Sequence, residues 1–336
     1  MGPLRALVRT ARMARHTSRL GAGLTADDEV LLDAPDERLG PVLVAAGRGE
    51  YAPAAKLLAI TREAAEWENR DRYALRLAAF ARARDGWLRA WRAAAPHDPD
   101  ALLIRAELAV ARGWHSPARV ELLREVNPLI AAAAEGEPRD PVPWRIALDH
   151  ARGTGLGHTG FERLWAEAVR RSPHHYGCHV SALKYLSAAW YGSHRECFDF
   201  AERAAEDALP GSLVRALPVR AALAYLTEGG GAVIPRARLD EAADGAIALS
   251  GEYEPGDPWP AEVRNVLTYV LVRLERWTDA LTQLRMIGPY ATSFPWDRMS
   301  EDPLGQFLQL RDGVRLEVAC SIPLRARPER PTRAEG

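Results

Sequence analysis

The chain has 336 residues, 47% of them hydrophobic, and its 44 basic and 45 acidic residues leave a net charge of -1. A balance so near zero gives no global electrostatic case for a nucleic-acid or membrane-surface protein. The three cysteines form no C-x-x-C, which fits reduced thiols in a cytoplasmic protein better than a disulfide framework. No apolar run approaches the roughly 18 residues of a membrane span. Alanine is plentiful, and among the basic residues lysine occurs only at Lys56 and Lys184.

Residues 1–24 carry Arg5, Arg9, Arg12, Arg15 and Arg19 and no acidic residue. As a basic amphipathic arm this stretch suits anionic lipid or nucleic acid. A frayed terminus and a start placed too far upstream are the alternatives. From about Leu39 a pattern recurs. Arg48-Gly49-Glu50-Tyr51-Ala52-Pro53-Ala54 returns sixty-four residues later as Arg112-Gly113-Trp114-His115-Ser116-Pro117-Ala118, and leucine pairs follow both. A second pattern, Trp91-x-x-Ala94 then Pro99, matches Trp165-x-x-Ala168 then Pro173. Trp91 and Trp165 are therefore expected between helices, in the core.

The densest stretch runs from Trp165 to Pro210 and holds four of the nine histidines. Ser172-Pro173 reads as a helix start, with serine capping and proline in the first turn, and predicts a helix to about Ala189. Gly192 is expected to supply a positive φ at the helix end. Ser193 and Glu196 form a Ser-x-x-Glu capping box that opens a second helix to about Leu209. So short a link makes the two helices an antiparallel hairpin.

Repeated hairpin signals at a fixed spacing indicate stacking. The pattern resembles the tetratricopeptide repeat, a unit of about thirty-four residues with a glycine before the second helix, an alanine five residues on, and a closing proline. Gly49 with Ala54, Gly113 with Ala118, Trp91 with Ala94 and Pro99, and Trp165 with Ala168 and Pro173 carry the resemblance, over roughly 39–290. It implies an all-α protein, a right-handed stack of antiparallel helical hairpins. The expected organisation is a basic arm at 1–24, a repeat domain at 25–290, a capping segment at 291–322 and a disordered tail at 323–336. Trp190-Tyr191-Gly192-Ser193 with the following Phe198 to Ala201 also resembles an uncharacterised bacterial helical family, which brings no activity with it.

The glycine-rich segments 153–160, 229–235 and 251–260 read as loops. Gly153-Thr154-Gly155 follows a helix rather than a strand and lacks G-K-[ST], so it does not read as a phosphate cradle. His174, His175, Cys178 and His179 crowd one helical turn and a half, and His175 with His179 has the i,i+4 spacing of paired zinc ligands. No acidic residue accompanies them as in H-E-x-x-H, and His194 and Cys197 belong to the next helix; no metal or cofactor is expected. Ser193 beside His194 is taken up by capping, and no catalytic constellation emerges. The resulting expectation is a non-catalytic scaffold that holds a protein or peptide in a concave groove. The resemblance implies that His175, Cys178, Ala182 and Tyr185 face that groove, with His175 and Tyr185 at least partly exposed and Val180 and Leu183 buried. Trp190 and Tyr191 at the turn, and Trp259 and Trp296 in loops, are further interface candidates. The alternatives are a metal-dependent protein using the His174–His179 cluster and a nucleic-acid-responsive regulator using the N-terminal arm.

Overall fold

The computed structural model describes residues 20–231 and 233–321. The arm proposed over 1–24, apart from residues 20–24, and the tail over 323–336 lie outside the described residues. Among the described residues there is no β-strand, only an isolated bridge between Leu31 and Tyr290, and the fold is all-α. Contacts divide the chain into two units, one of residues 34–252 and one joining residues 1–33 to 253–336.

Among its described residues the larger unit has thirteen α-helices: α1 (Leu39–Gly47), α2 (Ala52–Glu63), α3 (Trp67–Ala83), α4 (Gly86–Ala94), α5 (Pro99–Trp114), α6 (Arg119–Arg124), α7 (Asn127–Gly136), α8 (Val142–Thr154), α9 (His158–Arg171), α10 (Tyr176–Tyr185), α11 (His194–Asp207), α12 (Leu217–Glu228) and α13 (Arg236–Ser250). Proline stands in the first turn of α2, α5, α7, α8 and α12, where its missing N–H has no helical partner to lose. Asp98 caps α5 by accepting from the N–H groups of Asp100 and Ala101. Gly155, at φ +73°, ends α8. Most helices adjacent in sequence pack together, and in addition α3 packs on α5, α8 and α10, while α8 packs on α5 and α10. That inner row brings the start of α10 against α3, although more than ninety residues separate them in the chain.

The smaller unit holds α14 (Ala261–Arg273), α15 (Trp277–Ile287) and α16 (Pro303–Ser321). A short turn at Ser293–Trp296 packs on α14 and α16. Trp296, expected as an exposed loop aromatic, is instead fully buried. Its indole N–H donates to the Asn265 side-chain oxygen at 2.8 Å, and its ring meets Phe307 edge-on at 5.6 Å. A loop position misled the reading because the aromatic plugs the apolar face of α14. Trp259 is half-buried.

Several expected helix ends move. Ser172 is not the N-cap of the helix that follows but closes α9, donating its N–H to Ala168. The cap of α10 is His175, whose Nδ1 accepts from the Cys178 N–H at 3.2 Å, and α10 stops at Tyr185 rather than near Ala189. The helix ends also align the two tryptophan segments differently from the expected match. α4 closes with the Ala95 N–H on the Trp91 carbonyl, so Trp91 corresponds to Ala168, not Trp165. Pro96-His97-Asp98 then corresponds to Pro173-His174-His175, with histidine in the place of the capping aspartate. Trp91 is buried, as expected, whereas Trp165 is half-buried against His179 and Phe200. The two glycines of the first pattern also differ: Gly49 has φ +90° in a turn, while Gly113 lies within the last turn of α5 against Leu123.

Gly192 does not adopt the positive φ expected of it; it is glycine because a Cβ there would lie 2.2 Å from the Leu186 carbonyl oxygen. Ser193 is the N-cap of α11, accepting from the Glu196 N–H at 3.2 Å. The Glu196 carboxylate accepts the Ser193 hydroxyl at 2.8 Å. It does not reach back to the Ser193 N–H, so only one arm of the capping box forms. Ser193→Ala should cost about 0.5–2 kcal/mol, and Gly192→Val should cost more, because its obstacle is backbone that cannot swing aside. Urea unfolding of both variants checks the order; a valine no worse than the alanine change would contradict the close approach.

Candidate functional site

The expected groove is not open. His175, Cys178 and Tyr185 are each no more than 1% exposed, so they cannot present a surface to a partner. Val180 and Leu183 are buried as expected. The Tyr185 hydroxyl donates to the Leu156 carbonyl at 2.5 Å, and its ring stacks on Phe161 at 4.0 Å. The Cys178 thiol lies 3.6 Å from the Pro141 carbonyl, and burial pushes its pKa up. Cys197 is buried in the same way, its thiol pushed up to about 12, so neither cysteine is a ready nucleophile.

The face is closed by charge. α3, α5, α8 and α10 meet over two arginines, Arg70 and Arg145, that are at most 3% exposed. Arg70 pairs with Asp140 at 2.6 Å and Asp100 at 2.7 Å and donates to the Leu58 carbonyl at 2.9 Å. Arg145 pairs with Glu107 at 2.6 Å, Asp71 at 2.8 Å and Asp149 at 3.6 Å. Burial opposes the charge of both arginines, but their carboxylates outweigh it and raise both pKa values. Burial pushes the Glu107 and Asp140 carboxyls up even against the facing guanidinium. Burial also acts on Asp149, yet Lys184, Arg152 and Arg145 together hold it below its usual range.

The start of α10 locks onto this group. The Tyr176 N–H donates to Glu68 at 2.7 Å, and His175 Nε2 is 3.9 Å from Asp71 and 3.4 Å from the Trp67 carbonyl. Gly177 permits the approach, since a Cβ there would meet the Asp71 carboxylate at 2.1 Å. The histidine nitrogens are engaged as well. His175 uses Nδ1 as the cap, and His179 Nδ1 lies 3.0 Å from the His175 carbonyl, with burial pushing its pKa down to about 4. Among the described residues no three His, Cys, Asp or Glu side chains converge as metal ligands. Apart from His175, none of the network residues was singled out from the sequence. The available signal was a charged residue on an apolar stripe, as with Arg70 in line with Ala74, Leu77 and Ala81.

Trp190 and Tyr191 stand differently. Tyr191 is 37% exposed and donates its hydroxyl to the Arg152 carbonyl at 3.1 Å. Trp190 is half-buried, 5.5 Å from the half-buried Trp114. The Arg152 guanidinium lies 4.2 Å from the Trp114 ring and 4.7 Å from the Trp190 ring, and Arg119 lies 5.3 Å from Trp190. The end of α5, the α8 helix and the turn before α11 thus build one partly exposed patch of aromatic rings and guanidinium groups. Gly153 is required beneath it, because a Cβ there would strike Leu123 at 2.2 Å and Trp114 at 2.8 Å.

No family model matches the chain, and no curated protein or solved structure matches it either. Among the described residues no helix is long and apolar enough to cross a membrane.

Proposed function

We propose that this chain is a non-catalytic helical-repeat scaffold of the cytoplasm, a right-handed tetratricopeptide-like stack of helical hairpins that binds a protein or peptide partner. The neighbour-on-neighbour packing of short-linked helices supports the stack. The observation that carries the binding reading is the Trp114–Arg152–Trp190–Tyr191 patch. Trp, Tyr and Arg dominate interface hot spots because each offers a large flat area with a polar tip. Here the rings and guanidinium already hold one another in place, so little side-chain freedom is lost when a partner lands. His175, Cys178 and Tyr185 take no part in this reading; they hold the scaffold.

Cross-linking capture with the intact protein tests it, wild type against the Trp190→Ala/Tyr191→Ala double variant. The expected result is a partner captured by wild type and weakened by more than tenfold in the variant, the size of a hot-spot loss, with helicity unchanged. A partner captured equally by both proteins, or by neither, counts against this face.

A further inference from the structure

A second surface of the larger unit carries an excess of positive charge that its one lining carboxylate only partly offsets. Asp85, Leu88, Arg89 and Arg92 on and just before α4 have the spacing i, i+3, i+4, i+7, and Arg105, Leu108, Ala109 and Arg112 on α5 repeat it. This spacing puts each set on one helix face, and the two faces line a single cleft of about 230 Å³ with Leu129. Its lining holds four arginines against one carboxylate. Asp85 is 3.2 Å from Arg112 and 3.4 Å from Arg89. Among the described residues no carboxylate lies within ion-pair distance of Arg92 or Arg105. Arg105 is half-buried, and burial together with the charge of Arg92 pushes its pKa down. Two like charges are thus held side by side over apolar ground, an arrangement that an incoming anion relieves.

We infer that this cleft binds an acidic peptide segment, with carboxylates on the arginines of both ends and an apolar side chain on the partly exposed Ala109 and Leu129 of the lining. The geometry selects the class of ligand. Seven residues of helix separate Arg105 from Arg112, about 10 Å along the axis, which an extended peptide covers in about three residues. One phosphate group reaches only one end of that line. A guanidinium fork suits a carboxylate bidentately, and the partly exposed Ala109 and Leu129 of the lining reward an apolar residue that a polyanion lacks. The inference takes its ligand class from the scaffold reading but uses none of the residues of the aromatic patch.

A fluorescein-labelled Glu-Glu-Leu-Leu-Glu-Glu peptide, titrated by anisotropy against the full chain, tests it. The expected result is saturable binding that weakens with added salt and falls at least about tenfold in Arg92→Glu and in Arg105→Gln, as for truncated charge pairs at interfaces. Arg92 is exposed, so its reversal is compatible with folding, and circular dichroism checks this. A serine-for-leucine peptide should also bind more weakly. No binding, equal binding by both variants, or displacement of the peptide by tripolyphosphate or a short oligonucleotide at lower concentration than by unlabelled peptide would overturn the proposal. Because the probe is a defined peptide, failure here leaves the capture result at Trp190 and Tyr191 to be read by itself.

Discussion

Arg145→Ala should destabilise the larger unit by about 3–5 kcal/mol, the usual consequence of removing one partner from a buried ion group. Three carboxylates, Asp71, Glu107 and Asp149, converge on this one guanidinium. Without it, Asp71 and Glu107 lie buried and facing each other's charge, and each must either take up a proton or draw in water. Arg145→Lys should recover only part of the loss, because an ammonium cannot fork to two carboxylates at once. Combining Arg145→Met with Asp71→Leu and Glu107→Leu should recover more, since an apolar group of similar volume avoids the desolvation cost altogether. Urea unfolding followed by circular dichroism measures all three. A loss below 1 kcal/mol for Arg145→Ala would mean that the network is wet and plays no part in closing α3, α5, α8 and α10 together.

Trp91→Ala should cost about 3–5 kcal/mol, as expected when a large buried aromatic leaves a cavity. Trp91 is 1% exposed, stacks on Tyr51 at 6.0 Å and lies 6.3 Å from Trp87, so its ring joins α4 to the turn before α2. Trp165→Ala should cost distinctly less, because Trp165 is only half-buried and its neighbours His179 and Phe200 can relax into the space. The comparison tests the repeat register directly. Equal losses at the two tryptophans would favour Trp91 and Trp165 as equivalent positions, against the equivalence of Trp91 with Ala168 drawn from the helix ends.

The chemistry that was legible without coordinates was local. Helix content and the cap at Ser193 depend on residues a few positions apart, and their signals are proline, serine and apolar spacing. The same holds for the burial of Trp91, Val180 and Leu183 on apolar stripes. Ser172-Pro173 reads as a helix start because serine can cap and proline suits a first turn, but a proline serves equally well in the turn before a cap. Only the hydrogen bond from Cys178 to His175 separates the two cases.

The sequence by itself determined that this chain is helical, because helix formation is decided within a few turns of backbone. Tertiary structure alone decided which face of α10 meets solvent. Periodicity places His175, Cys178 and Tyr185 on one stripe but is silent about what lies opposite. Opposite His175 lie Trp67 and Asp71 of α3, more than a hundred residues earlier in the chain, and opposite Cys178 and Tyr185 lie the Pro141 and Leu156 carbonyls. A polar stripe looks the same in sequence whether water or buried protein groups satisfy it, and here backbone carbonyls and the Asp71 carboxylate do. In the same way, Trp114, Arg152 and Trp190 carry no shared motif, and only the packing of α5 and α8 beside the turn before α11 stacks them into one surface.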